Sequence, residues 1–271
     1  MRIHLKVLVL SIITGWLLVF AGCDHFKPEP IRIGFVAGLT GRTAAVGVAA
    51  RDGAQLAVAE INSAGGIDGR MVELVIRDIE QDAVVGLHVV EELIAEKIPV
   101  IIGPMTSTMA LVLVPVVNNS ATLMVSPTAA TRLLGEKDDN FLRIRPQCRN
   151  VAARLADYVV TERKVRKVGV IYDVSNAAYT TDWKNCFKKR LESIGGEIVA
   201  DIAFDSLGQH RFAELVKQTR EENPEGILLL ANSLDTAMLT QQMMKQDIKL
   251  PIFASEWSMT RDLLSSGGRS V

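Results

Sequence analysis

The chain has 271 residues, 48% of them apolar, and a formal charge of −1 at neutral pH. That length buries one large core or two modest ones. The near-neutral balance excludes a basic nucleic-acid-binding field and leaves no acidic arm for a disordered partner.

The elements begin after a leader. "MRIHLKVLVLSIITGWLLVFAGC" sets Arg2 and Lys6 before an apolar run, Val7 to Phe20, and then Ala21-Gly22-Cys23. This is the charge, apolar segment and small-residue order of an export signal. A transmembrane helix is the alternative, but the run is short for a hydrocarbon core of ~30 Å. Phe20-Ala21-Gly22-Cys23 resembles the lipobox of bacterial lipoproteins, which implies a lipidated Cys23 and a membrane anchor. Asp24 resembles a signal that retains some lipoproteins on the inner membrane. Residues 24–30 read as a short Pro-containing tether.

Strand and helix patterns then alternate. "IRIGFVAG" predicts a strand. Val46, Ala50, Ala54, Val58 and Ile61 give residues 44–63 a helical period. "AGGIDGR" turns the chain into the strand "MVELVIRD", and a helix over 82–96 follows. "PVIIG", a helix from Ser107 to about Val117, "TLMVSP" and the short strand "FLRIR" complete a first lobe over 31–143. Helices near 147–162, 178–193, 209–222 and 234–246 alternate with "KVGVIYD", "GEIVADIAF", "GILLLAN" and "PIFAS" in a second lobe over 144–254. Residues 255–271 form an interlobe segment. The fold class is α/β, two Rossmann-like lobes with parallel sheets.

Parallel sheets hold ligands at the carboxyl ends of their strands. In the loops there, no Gly-rich phosphate loop, no Gly-x-Ser-x-Gly elbow and no metal-ligand spacing occurs. His4 and His25 precede the fold, and His88 and His210 read as surface or packing residues. The sequence therefore predicts no enzyme, no cofactor and no metal. Cys148 and Cys186 read as small buried thiols, with a disulfide as the alternative that export permits.

Two loops carry chemistry. Thr106-Ser107-Thr108 lies at a helix mouth, where unpaired N–H groups and the helix dipole favour an anion. A Ser or Thr there also serves as a plain N-cap. "VSPTAAT" repeats the arrangement after the next strand with Ser126, Thr128 and Thr131. Together the two turns read as a carboxylate cradle. Glu256, after the last strand, reads either as a solvated loop acid or as a partner for a cation.

"GLTGRTAAVGVAARDGAQLAVAEINSAGGIDGR", "IIGPMTST", "MVSPTAAT", "FLRIRP" and "VGVIYD" together resemble the branched-chain amino acid type of periplasmic binding protein. These are two-lobed receptors of ABC importers, and the resemblance runs from about Ile31 to the last residue. The Asn-x-x-Gly-Gly-Ile-x-Gly turn is its most specific mark. The resemblance implies that Ser107 binds a ligand carboxylate, with Thr108 beside it in the same turn. It places Thr128 and Ala129 where carboxylate and ammonium are bound. The family's next Thr is Ala130 here, with Thr131 adjacent. Tyr179 matches a second-lobe Tyr that meets the ligand, Ser233 replaces another Tyr, and Glu256 aligns with the acid that pairs with the ammonium. Val46 stands where members carry a large aromatic, so no side-chain preference is implied.

The implied protein is an exported, lipid-anchored receptor that delivers an amino acid or similar small zwitterion to the permease subunits of an ABC importer. A sensory module for a signalling partner would use the same cleft. Family members continue past the segment matching "LLSSGGRSV", so the resemblance also implies an incomplete first lobe with exposed apolar faces. A truncated, non-functional remnant is the third reading.

Overall fold

The computed structural model describes residues 28–209 and 211–271. The export signal with Cys23, the tether through residue 27 with Asp24, and His210 lie outside the described residues.

Five strands make the first sheet: β1 (Ile31–Ala37), β2 (Val72–Asp78), β3 (Val100–Ile102), β4 (Leu123–Ser126) and β5 (Phe141–Arg143). All pair in parallel, in the order β2-β1-β3-β4-β5. The crossovers are α1 (Ala44–Ser63), α2 (Ala83–Ala95) and α3 (Ser107–Val117). The second sheet comprises β6 (Lys167–Asp173), β7 (Glu197–Phe204), β8 (Gly226–Leu230) and β9 (Ile252–Ala254), parallel in the order β7-β6-β8-β9. Its helices are α4 (Cys148–Thr161), α5 (Ala177–Ser193), α6 (Phe212–Glu221) and α7 (Ser233–Lys245), and α8 (Arg261–Gly267) follows β9.

Sequence accounts for this layering. Every residue of β8, Gly-Ile-Leu-Leu-Leu, is buried, as expected for a central parallel strand with helices on both faces. Ile171, Ile227, Leu229 and Leu239 pack one face of the second sheet, while Val168, Leu228, Trp183 and Phe187 pack the other. In the first lobe Leu93, Ile101, Leu113 and Met124 form the main core. Caps fix where helices start: Asp82 accepts from the N–H groups of Val84 and Val85, and Asn232 accepts from that of Asp235.

The α1–β2 turn needs its residues individually. Asn62 acts as a substitute strand, donating to the Val72 carbonyl at 2.9 Å and accepting from the Val72 N–H at 2.7 Å. Gly66 has φ +78°, and a Cβ there would lie 2.1 Å from the Arg70 carbonyl oxygen. On the far side of the first sheet α1 fully buries only Gly47, and Leu56 is 62% exposed. Among the described residues, no helix is long and apolar enough to cross a membrane.

Order reverses at β1 and β3 in one sheet and at β6 and β8 in the other. Ligand crevices form outside such reversals. The two carboxyl edges face each other. Arg42, after β1, meets Asp235, after β8. Thr108, after β3, meets Asn176, after β6. Arg132, after β4, meets Asp182 of α5.

Candidate functional site

The two hydroxyl-bearing turns are stitched to each other. Ser126 donates to the Pro104 carbonyl at 2.6 Å, and Thr128 donates to the Met105 carbonyl at 2.5 Å. The Ser107 hydroxyl accepts from the N–H groups of Ala130 and Thr131 at 3.1 and 3.3 Å. The hydroxyls thus fix the geometry of the turns. The N–H groups of Ser107 and Thr128 find no acceptor among the described residues. Thr106 does not cap α3, because its hydroxyl accepts from Gln81 Nε2 at 2.6 Å.

Ser107 and Thr128 line a cavity of about 440 Å³ between the lobes, within the range usual for small-molecule sites, ~300–1,000 Å³. Val46, Ala50 and Met105 supply apolar wall from the first lobe, and Tyr179, Trp257 and Met259 face them. Tyr179 and Trp257 meet edge to face, with ring centroids 6.0 Å apart. Burial, with the Glu256 carboxylate adding to it, pushes the Tyr179 hydroxyl well above its ordinary range, so it stays protonated. The Thr260 hydroxyl, on a cavity-lining residue, is buried with no hydrogen-bond partner, and the Tyr179 hydroxyl has the Ser255 hydroxyl beside it without a close hydrogen bond. Glu256 pairs with Arg145, which enters the same cavity from the chain that leaves β5.

Four residues singled out in the sequence therefore share one wall: Ser107, Thr128, Tyr179 and Glu256. The other four do not line it. The Thr108 hydroxyl is taken by the N–H of Ala178 at 3.2 Å. Ala129 is buried, its N–H donating to Ser126 Oγ at 3.0 Å. Thr131 turns away to Asp182 and accepts from the Leu133 N–H. Ser233 is buried in the first turn of α7. Sequence reading missed Arg145, Asn176, Trp257 and Thr260 as wall residues. Asn176 and Trp257 lay in loops already marked by their place after β6 and β9, whereas Arg145 sat at the end of the predicted strand "FLRIR" with no role assigned to it.

Cross-lobe polar contacts flank the cavity. The Asp182 carboxylate accepts from the Arg132 N–H at 2.8 Å and from Arg132 Nε at 2.7 Å. Burial would raise Asp182, but these Arg132 bonds outweigh it and hold the carboxyl below its usual value. Asp235 is fully buried and receives Arg42 Nε at 2.7 Å and Asn232 Nδ2 at 2.6 Å. There burial wins, and the carboxyl is raised despite Arg42. Cys148 and Cys186 are free, buried thiols, and Cys148 Sγ lies 3.4 Å from Asp182 Oδ2. His88 is exposed beside Glu92. Among the described residues, no group of three or more His, Cys, Asp or Glu is placed to hold a metal.

The cavity thus lies at facing sheet edges between two α/β lobes. The chain belongs to the periplasmic binding protein family, whose model matches residues 30–271. It is 28% identical over 244 residues to Leu/Ile/Val-binding protein homolog 3 of Brucella melitensis, covering 89% of this chain and 65% of that relative. It is 30% identical over 246 residues to a Leu/Ile/Val-binding protein of Rhizobium johnstonii, covering 86% and 64%. Both relatives are named for binding and not for a catalysed reaction. The chain thus spans just under two thirds of these curated relatives' lengths. Among solved structures, the branched-chain amino acid transporter substrate binding protein of Streptococcus pneumoniae, in complex with isoleucine, superposes with a TM-score of 0.81 at 26% identity, over 88% of this chain and 68% of that one. A leucine binding protein from Thermotoga maritima gives 0.81 at 23% identity, over 89% and 67%, a likeness of fold.

Proposed function

We propose that this protein is the solute-capturing receptor of an ABC importer, and that it binds an amino acid or chemically close small carboxylate between its lobes. The observation that carries this reading is the meeting of Ser107, Thr128, Tyr179 and Glu256 on the wall of one interlobe cavity. The N–H groups of Ser107 and Thr128, at the ends of two parallel strands, receive the ligand carboxylate. Hydrogen bonds to a charged group contribute ~1.5–3 kcal/mol each, enough in combination for micromolar affinity after ordering costs. The apolar wall around Val46, Met105 and Trp257 takes the ligand's aliphatic body. Closure of the lobes presents a joined surface to the permease subunits. The lipid on Cys23 keeps the receptor at the membrane, on the inner one if Asp24 acts as a retention signal.

Calorimetry of the full chain against small amino acids and their carboxylate analogues tests the binding claim. Absence of heat with every one, from protein that melts cooperatively, would overturn it. Palmitate labelling of cells expressing the wild type and Cys23→Ser tests the anchor: label on the wild type alone supports lipidation, and an unlabelled wild type refutes it.

A further inference from the structure

On the reading that this cavity is the ligand site, we infer that its ligand is a small carboxylate with a neutral oxygen beside the carboxyl group, such as a 2-oxo or 2-hydroxy acid, in preference to an amino acid.

Charge supplies the first reason. Among the described residues, Arg145 and Glu256 are the only formally charged ones lining the cavity, and they are bonded to each other. Their side chains are 26% and 20% exposed, so the pair is sheltered but faces the cavity. A ligand ammonium reaching Glu256 meets a carboxylate already neutralised. Coulomb interactions fall only as the inverse of distance, so the guanidinium one hydrogen bond away cancels most of the attraction for a second cation. The ammonium would still lose its hydration. The carboxylate end suffers no such opposition. Among the described residues, the start of α3 and the Thr128 turn offer N–H groups without acceptors, and no acid apart from the paired Glu256 lines the cavity.

Donor balance supplies the second reason. The Thr260 hydroxyl is buried without a partner on this wall, and the Tyr179 hydroxyl has only the Ser255 hydroxyl beside it, in no close hydrogen bond. An ammonium only donates hydrogen bonds and leaves a hydroxyl proton without an acceptor. An oxo or hydroxyl oxygen accepts one. Arg145 is thereby a specificity-determining residue. It holds Glu256 occupied and leaves the neutral α-substituent to the hydroxyls.

The test is calorimetry of the full chain with ligands matched in carbon skeleton: L-leucine, 4-methyl-2-oxopentanoate and 3-methylbutylamine. The oxo acid is expected to bind at least tenfold more tightly than leucine, and the amine not at all. Arg145→Met unmasks Glu256 and is expected to reverse the order, whereas Arg145→Lys retains it. Circular dichroism and a cooperative melt establish that each variant is folded, and the wild-type comparison decides the matter even if Arg145→Met does not fold. Leucine binding as tightly as the oxo acid, or more tightly, overturns the inference and leaves the receptor reading standing. No heat from either carboxylate on folded wild type overturns both.

Discussion

Thr108 and Asn176 cap each other's helices across the two lobes. The N–H of Thr108 in the first turn of α3 donates to Asn176 Oδ1 at 3.1 Å, and Thr108 Oγ1 accepts from the N–H of Ala178 in the first turn of α5 at 3.2 Å. Each lobe thus satisfies helix-end groups that the other leaves open, and the bonds exist only while the lobes are together.

Asn176→Ala should therefore act on closure more than on folding. Loss of an N-cap costs ~1 kcal/mol, which appears here as about fivefold weaker ligand binding in calorimetry. The far-ultraviolet dichroism of each lobe should be unchanged. Melting lowered by many degrees with unchanged affinity would place the bond in the fold and not in closure.

Arg42→Ala removes the charged partner of a fully buried acid, Asp235. Leaving a buried charge unpaired costs ~3 kcal/mol, measurable by urea unfolding at pH 7. Asp235 already sits above the usual carboxyl range because burial outweighs Arg42 and Asn232. A raised folded-state value means that the folded form holds its proton more tightly, so the deficit of the variant should shrink as pH falls toward 4 and grow as it rises.

Asp182 behaves in the opposite sense. Burial raises it, but the bonds from Arg132 hold it below its ordinary value. Its contribution is therefore fully present above the unfolded carboxyl range and is lost as pH falls through the lower folded value. Melting temperature should drop on acidification below about pH 4. Asp182→Asn should be less stable than wild type at pH 7 and should lose that part of the acid sensitivity.

Much of this architecture is legible in the residues. The apolar run of β8, the Gly turn after α1 and the helical spacing of Val46, Ala50 and Ala54 each fix an element locally. The loops after the strands could be named as the site because parallel sheets always present that edge. Which hydroxyl in those loops faces the cavity could not be read. Thr128 and Thr131 lie three residues apart, yet one lines the cavity and the other turns to Asp182, fifty-one residues away. Arg145 escaped for the same reason: its partner Glu256 is 111 residues distant. The hydroxyl at the N-cap position of α3, Thr106, is claimed by Gln81, and the cap arrives from the other lobe. Pairings of this range are properties of the assembled lobes and leave no local periodicity.

The cysteines give a check on the second lobe. Burial pushes the Cys148 thiol well up, with the Asp182 carboxylate adding to it, and Cys186 is raised chiefly by burial. Neither should react with iodoacetamide at pH 8 in the folded chain, and both should react in urea, as read by peptide mass spectrometry. Rapid labelling of Cys148 without denaturant would contradict the packing of α4 against α5.

Trp257 lines the cavity and touches Tyr179. Ligand binding should therefore change the tryptophan emission, and Trp257→Phe should abolish most of that change while Trp183, buried in the second-lobe core, keeps its signal. A change retained in full by Trp257→Phe would place the ligand elsewhere.

The central claim is that the two stitched turns hold a ligand carboxylate between the lobes. A crystal structure of the full chain grown with saturating 4-methyl-2-oxopentanoate or leucine tests it most directly. The account requires the carboxylate to lie within about 3 Å of the N–H nitrogens of Ser107 and Thr128, with the aliphatic end toward Val46 and Trp257. A bound ligand whose carboxylate lies away from both nitrogens, or a cavity without ligand at saturation, would contradict it.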